Sequence, residues 1–189
     1  MVKVADVRRL VPEDMRIVRL SPGRTLAMLA LMRYGAGSTL QYQEAIIAPA
    51  LVHGAGRIGM WISHIYVDHP QSLLAGREVW GLPKESARFA GACGRQEMDG
   101  PGVEIRIATD AEPKYMSPCP LAAAIFGRAG RDLRWSLALG RARMALVAGG
   151  VRIIHAPAIE ALQFDRVRRL LRLARFDVEL AAPRVSRSR

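Results

Sequence analysis

The chain breaks into many short apolar runs that are separated by turn residues, and this pattern limits the folds it can adopt. The run 57–67 is apolar on both of its alternating faces, which is typical of a strand in the middle of a sheet. Groups such as Asp99-Gly100-Pro101-Gly102 are strong turn signals between runs. Long helical segments do not alternate with the runs, so the pattern predicts a mainly antiparallel sandwich or barrel rather than a doubly wound sheet.

Four further segments are assigned from their local patterns. Residues 71–79 have apolar side chains at helical spacing and are predicted to form a short helix. Residues 133–154 are expected to hold two or three strands that are interrupted at glycines. Residues 165–172 are expected to form a short basic helix, and residues 176–185 a closing strand at a sheet edge.

Length and composition are those of one globular domain, which we assign to residues 1–189. The 189 residues are 50% hydrophobic and 24% charged, which is enough apolar material for a core. The longest apolar stretches, such as 26–32, are far shorter than the roughly 20 residues of a membrane span. No apolar leader is evident at the start, and Cys93 and Cys119 do not form a CxxC pair. We therefore expect a cytoplasmic protein without a membrane partner.

The net charge of +11 is the unusual number, and it invites a nucleic-acid partner. Only three of the 28 basic residues are lysines, namely Lys3, Lys84 and Lys114, and the arginines are spread along the chain. This distribution favours a coding bias over a binding surface, so no nucleic-acid partner is expected. The four histidines lack metal-ligand spacing, and we expect neither a metal nor another cofactor.

One of the rare lysines lies in a segment that can carry chemistry. Lys84 follows a proline and has Trp80, Leu82 and Phe89 as sequence neighbours. A lysine amine that is buried among apolar groups loses its charge more easily. A neutral amine can attack a ketone and form a Schiff base. The alternative is an exposed lysine in a loop.

Segment 76–84, with its Gly-Arg-Glu followed by Pro-Lys, resembles the signature of the acetoacetate decarboxylase family. The Val-Pro-Glu of residues 11–13 is similar to the end of an early helix in that family. Residues 42–44 resemble its Tyr-x-Glu, and residues 66–68 its Tyr-hydrophobic-Asp. The pattern from His155 onwards resembles the lead into the family's last strand, so the resemblance extends along essentially the whole chain.

The resemblance implies a fold and two main functional residues. The fold would be an antiparallel sandwich or cone-shaped barrel with a few short helices. Because a strand-rich domain with a long apolar segment such as 24–34 has edges to cover, we also expect at least a homodimer. Lys84 would form the Schiff base. Glu44 would line the pocket and would orient the substrate or move protons.

Five other residues near this motif are assigned more weakly. Arg77 and Glu78 are expected to form a charge pair that holds the lysine loop. Trp80 and Leu82 either line the pocket or belong to the core. His64 lies in a predicted strand and is expected to be a core or site-lining residue rather than a metal ligand.

The chain departs from the family pattern in three places. Glu85 stands where the decarboxylases often have a second lysine, although consecutive strand residues point to opposite sides. A second acidic residue of the family is replaced by apolar Leu29 or a neighbour. An N-terminal arm with an arginine for the substrate carboxylate has no counterpart before Val4, so another arginine would have to take that role.

Three functions remain open on this basis. The first is decarboxylation of a small β-keto acid through an iminium and an enamine. The second is an aldolase or dehydratase reaction of a keto acid at the same Lys84. The third is a non-catalytic protein that binds a small molecule and keeps Lys84 charged. Release of carbon dioxide would separate the first from the second, and a neutral amine would separate both from the third.

Overall fold

The structure is a computed structural model that describes residues 1–92, 94–109 and 112–186, so Cys93 lies outside the described residues. Strands form most of the described chain, which confirms the predicted mainly β fold. The strands are β1 (Val2–Lys3), β2 (Arg16–Ile17), β3 (Arg24–Thr25), β4 (Met28–Tyr34), β5 (Tyr42–Ala48), β6 (Ala50–Gly54), β7 (Arg57–Trp61), β8 (His64–Val67), β9 (Lys84–Ser86), β10 (Arg88–Ala92), β11 (Arg95–Gly100), β12 (Val103–Thr109), β13 (Ser117–Ala129), β14 (Asp132–His155), β15 (Arg169–Leu180) and β16 (Arg184–Ser186).

The helices are short. They are α1 (Val4–Val7), α2 (Pro70–Glu78) and the 3-10 helices Arg8–Leu10, Glu160–Leu162 and Phe164–Arg166. Helix α2 confirms the predicted helix 71–79. It begins after His69, whose ring nitrogen accepts a hydrogen bond from the Gln71 N–H at 3.2 Å, and Pro70 occupies the first turn. Within the described ranges, no helix is long and apolar enough to cross a membrane.

The strands form three sheets. The large sheet has the order β10-β11-β12-β14-β13-β7-β6-β2, with β15 and β16 also paired to β14. The small sheet has the order β4-β5-β8-β9, and β1 pairs with β3. Among the described pairs, β7 with β13 and β8 with β9 are parallel, and the others are antiparallel.

The small sheet has two different faces, because successive side chains of a strand alternate. Ala45, Ile47 and Tyr66 belong to the main core, which also contains large-sheet side chains such as Phe126 and Trp135. The opposite face carries a smaller apolar cluster: Ala48, Met60, Ile62, Ile65, Val67 and Leu82. The candidate site lies on this second face.

The prediction of one central strand over 57–67 is wrong. Strand β7 belongs to the large sheet and β8 to the small sheet. Between them the Ile62 N–H donates to the Phe126 carbonyl at 3.1 Å, and the Ser63 N–H donates to the Ile47 carbonyl at 3.0 Å. The segment is apolar on both faces because it passes through the interior from one sheet to the other.

The prediction of two or three strands over 133–154 is also wrong, because β14 runs without interruption for 24 residues. Its glycines allow neighbouring strands to approach closely. A Cβ atom on Gly140 would lie 2.7 Å from the Val178 Cα, and one on Gly149 would collide with the Ala108 carbonyl oxygen. Glycine in a strand can mark such a close approach of another backbone.

The predicted basic helix over 165–172 is likewise wrong. Residues Phe164–Arg166 form one 3-10 turn, and β15 begins at Arg169. Leu170 and Leu171 pair with Val147 and Leu146 of β14. The apolar spacing in this short segment is compatible with a helix and with a strand, and the strand forms because it pairs with β14.

Candidate active site

Lys84 and Glu44 form a buried ion pair on the second face of the small sheet. Lys84 begins β9 and pairs with Ile65 of β8, while Glu44 of β5 pairs with Val67 of the same strand. The Lys84 Nζ lies 2.6 Å from the Glu44 Oε2, and only 8% and 6% of the two side chains are exposed. Register therefore brings together two residues that are 40 positions apart in the sequence.

Three hydroxyl groups complete the surroundings of this pair. Lys84 Nζ donates to the Ser72 Oγ at 2.9 Å. The Tyr34 hydroxyl donates to Glu44 Oε1 at 3.2 Å, and the Tyr42 hydroxyl donates to Glu44 Oε2 at 3.4 Å. The carboxylate thus accepts hydrogen bonds from one ammonium and two phenols, which satisfies its buried charge.

The two tyrosines stay protonated well above neutral pH. Burial raises the pKa of Tyr42 to about 12, and the negative charge of Glu44 adds to the rise. The same two causes raise the pKa of Tyr34 far above its usual range. Their rings stack with centroids 4.6 Å apart, and Lys84 Nζ lies 5.4 Å from the Tyr42 ring centroid. Both phenols can therefore act as hydrogen-bond donors to an anionic group.

Helix α2 forms the wall against which the lysine lies. A Cβ atom on Gly76 would lie 2.6 Å from the Lys84 Cε, so glycine leaves the space that the lysine stem fills. Arg77 Nε donates to the Lys84 carbonyl oxygen at 2.7 Å. Arg77 therefore contacts the backbone of the lysine strand, and not through the expected charge pair with Glu78. Neither Arg77 nor Glu78 takes part in an ion pair within the described chain.

Trp80 and Leu82 belong to the apolar cluster on the second face of the small sheet. Leu82 is 5% exposed and belongs to the small apolar cluster, against which Trp80 packs in part. The Trp80 indole N–H donates to the Ala181 carbonyl at 3.3 Å. Both side chains therefore have structural contacts, and Trp80 links the end of α2 to the segment after β15.

His64 lies on the opposite face of the small sheet from Lys84. It begins β8, and its ring stacks with the ring of Tyr66 on the face of the main core, with a centroid distance of 6.5 Å. Burial lowers the pKa of His64, and the charge of Glu85 opposes this change. The charge of Glu85 also adds to the rise in the pKa of Tyr66 that burial causes. Strand alternation thus separates Glu85 from its neighbour Lys84, as expected.

Sequence reasoning assigned no role to Tyr34, Tyr42 or Ser72. Met32 and Tyr34 of β4 stand opposite Glu44 and Tyr42, whereas Leu29 pairs with Ile47 on the other face. The sequence did contain a signal for the face of α2 that contacts the lysine, because Ser72 and Gly76 are four residues apart and therefore lie on one side of the helix. A small residue and a hydroxyl on that side are what a buried lysine requires.

The amine is enclosed, because only 8% of the Lys84 side chain is exposed. Two open surface pockets among the described residues have volumes of about 520 and 310 Å³. The first lies near Lys3 and Arg24, the second near Gly56 and Leu137, and neither is lined by Lys84. Within residues 1–92, 94–109 and 112–186 no group of three or more His, Cys, Asp or Glu side chains could hold a metal ion.

Comparison with known proteins establishes the family. The family model for acetoacetate decarboxylase (ADC) matches residues 1–108, which is more than half of the chain. The chain belongs to the acetoacetate decarboxylase family. Among curated proteins, Protein NEOXANTHIN-DEFICIENT 1 of Solanum lycopersicum is 28% identical over 90 residues, 48% of this chain and 30% of that protein. The chain thus spans well under half of the length of this relative.

Solved structures share the fold at low sequence identity. The enduracididine biosynthesis enzyme MppR complexed with pyruvate is 17% identical, with a TM-score of 0.62 over 97% of this chain and 84% of that chain. Acetoacetate decarboxylase from Legionella pneumophila subsp. pneumophila str. Philadelphia 1 is 16% identical, with a TM-score of 0.58 over 98% of this chain and 81% of that chain. The predicted acetoacetate decarboxylase-like fold is confirmed.

Proposed function

We propose that the protein is a lysine-dependent lyase that decarboxylates a small β-keto acid through a Schiff base on Lys84. The observation that carries the proposal is the enclosed ion pair, in which Lys84 Nζ lies 2.6 Å from the Glu44 carboxylate. Membership of the family and the fit of the Gly76 cleft to the lysine stem support it.

Glu44 supplies the base that this chemistry needs. An ammonium group cannot attack a carbonyl, and the neighbouring carboxylate can accept its proton. The free amine then adds to the ketone and forms an iminium. The positive iminium nitrogen accepts the electron pair of the breaking bond to the carboxylate, so carbon dioxide leaves and an enamine remains. Protonation of the enamine carbon and hydrolysis release the ketone product and Lys84.

The surroundings of the amine favour a small substrate. The Lys84 side chain is 8% exposed, and Tyr42 and α2 lie against it. A bulky ligand would have to displace helix α2 or the stacked tyrosines. A compact keto acid needs less space, and the Tyr34 and Tyr42 hydroxyls can donate hydrogen bonds to its oxygen atoms.

A second candidate is carbon–carbon bond formation or dehydration at the same lysine. It is favoured by MppR, which has been solved with pyruvate and with the condensation product of pyruvate and imidazole 4-carboxaldehyde. Glu85 also stands where decarboxylases of the family often have a second lysine. In this reaction the enamine would form by proton loss instead of carbon dioxide loss and would attack an aldehyde.

Borohydride trapping tests the shared first step. The protein is mixed with acetoacetate or pyruvate and sodium borohydride, and its intact mass is measured. Because the chain has only three lysines, Lys84→Met and Lys114→Met form a matched pair, with Lys114 exposed. An adduct on the wild type and Lys114→Met, but not on Lys84→Met, is the expected result. Carbon dioxide release then separates decarboxylation from the second candidate.

The opposite result would favour the non-catalytic binding function. No adduct with either compound between about pH 5 and 9 would mean that Lys84 remains a charged member of an ion pair. An adduct that maps to Lys3 or Lys114 would contradict the assigned lysine. Peptide mapping after reduction distinguishes these outcomes.

A further inference from the structure

Ser72 is a buried polar residue that the proposed reaction has not yet used. It lies on α2 with only 4% of its surface exposed. A buried hydroxyl needs hydrogen-bond partners. Its Oγ lies 2.9 Å from Lys84 Nζ, which is the atom that would attack the substrate.

A chain of hydrogen bonds joins this hydroxyl to the rest of the site. The Ser72 Oγ accepts from Lys84 Nζ. The Tyr42 hydroxyl in turn contacts Glu44 Oε2, and Glu44 contacts Lys84. The four side chains therefore form a chain of hydrogen bonds, in which Ser72 accepts from Nζ and keeps its own hydroxyl hydrogen for another acceptor.

Counting the hydrogens on Nζ shows what changes during the reaction. The ammonium carries three hydrogens and donates to both Glu44 and Ser72. An iminium nitrogen carries one hydrogen and can keep only one of these partners. The charged carboxylate is the stronger acceptor, so Nζ keeps Glu44 and releases Ser72. The hydroxyl then lies beside the carbon that Nζ has attacked.

We propose that Ser72 is a further catalytic residue, which hydrogen-bonds to the substrate oxygen during formation and dehydration of the carbinolamine. This inference rests on the proposed Schiff-base function. The carbonyl oxygen is bonded to the carbon that becomes attached to Nζ, so an oxygen atom 2.9 Å from Nζ is within hydrogen-bond reach of it. A donor at this place stabilises the negative charge that develops on the oxygen.

The step balances with Glu44 as the proton carrier. The ammonium first gives a proton to Glu44. The Nζ electron pair then forms the bond to carbon, the carbonyl electron pair moves to oxygen, and a proton passes from nitrogen to that oxygen. Glu44 next returns its proton to the hydroxyl, the carbon–oxygen bond breaks, and the nitrogen electron pair forms the C=N bond. Two ammonium hydrogens leave in water, one stays on the iminium, and the charge is unchanged.

The test compares Ser72→Ala and Ser72→Cys with Ser63→Ala. Cysteine keeps most of the side-chain volume but is a weak donor. Ser63 is a matched control because its partly buried hydroxyl contacts Ile47 and His64 away from the amine. Rapid mixing with acetoacetate or pyruvate, followed by borohydride at timed intervals, gives the rate of adduct formation. Exchange of the ketone oxygen with ¹⁸O-labelled water reports carbinolamine formation and dehydration directly.

We expect both Ser72 variants to form the adduct at least about tenfold more slowly, with slower oxygen exchange, and Ser63→Ala to match the wild type. Thermal unfolding shows whether each variant is folded, and Ser72→Cys keeps the test valid if Ser72→Ala is not. Wild-type rates in both Ser72 variants, with an adduct at Lys84, would overturn the role of Ser72 alone. Absence of an adduct on the wild type would overturn the proposed function and this inference together.

Discussion

Breaking the Lys84–Glu44 pair should cost more stability than removing both partners. The pair is 2.6 Å long, and its side chains are 8% and 6% exposed, so neither charge can turn to water when its partner is lost. Removal of one member of a buried pair costs about 3–5 kcal/mol, whereas replacing both by neutral groups of similar size is often neutral. We therefore expect Lys84→Met and Glu44→Gln each to lose about 3 kcal/mol and the double variant to lose about 1 kcal/mol or less.

The two single variants should also differ from each other. In Lys84→Met the carboxylate keeps the hydroxyls of Tyr34 and Tyr42 as donors. In Glu44→Gln the ammonium keeps the Ser72 hydroxyl and the neutral amide oxygen of the new glutamine. Because a carboxylate is the stronger acceptor for an ammonium, we expect Glu44→Gln to be at least as destabilising as Lys84→Met.

Equilibrium unfolding in urea measures the four free energies of this double-mutant cycle. The ion pair Arg88–Asp99 is a control of similar length, at 2.8 Å, but its side chains are 88% and 57% exposed. The cycle Arg88→Met with Asp99→Asn should give a coupling of less than about 1 kcal/mol. Additive losses below about 1 kcal/mol for Lys84→Met and Glu44→Gln would refute the burial argument.

Two further outcomes follow from the geometry around the amine. Gly76→Ala should abolish borohydride trapping on a folded protein, because its methyl group takes the space of the Lys84 stem. Gly35 has open space around it, so Gly35→Ala is the control and should form the adduct normally. Equal trapping in both variants would contradict the assigned cleft. A second outcome concerns the stability at high pH, because burial raises the pKa of Tyr42 and Tyr66 from 10.0 to about 12. Each therefore contributes stability that is present below about pH 10 and lost as the pH rises through 12, and Tyr42→Phe should weaken this loss; phenolate absorbance and unfolding midpoints measure both.

The sequence by itself predicted the class of fold. The resemblance of segment 76–84 and of the Tyr-x-Glu at 42–44 to the family motifs indicated Lys84 and Glu44, which the structure brings within 2.6 Å. Turn residues and alternating apolar positions predicted a mainly β protein, and apolar side chains at helical spacing in 71–79 predicted α2. These features are local, because each depends on the dihedral preferences or spacing of a few consecutive residues.

The tertiary structure alone decided which strands pair and which face each side chain occupies. The glycines of β14 resemble strand breaks in the sequence, but the structure shows that they allow close approach of β12 and β15. Residues 165–172 have the spacing of a helix, but most of this segment pairs with β14 as a strand. Alternation separates His64 from Lys84, but only the register of β8 with β9 determines that Lys84 faces α2. Tyr34 meets the ion pair through the pairing of β4 with β5, and Ser72 through the packing of α2 against Lys84. Pairing and register depend on contacts between residues far apart in the chain, which local spacing does not specify.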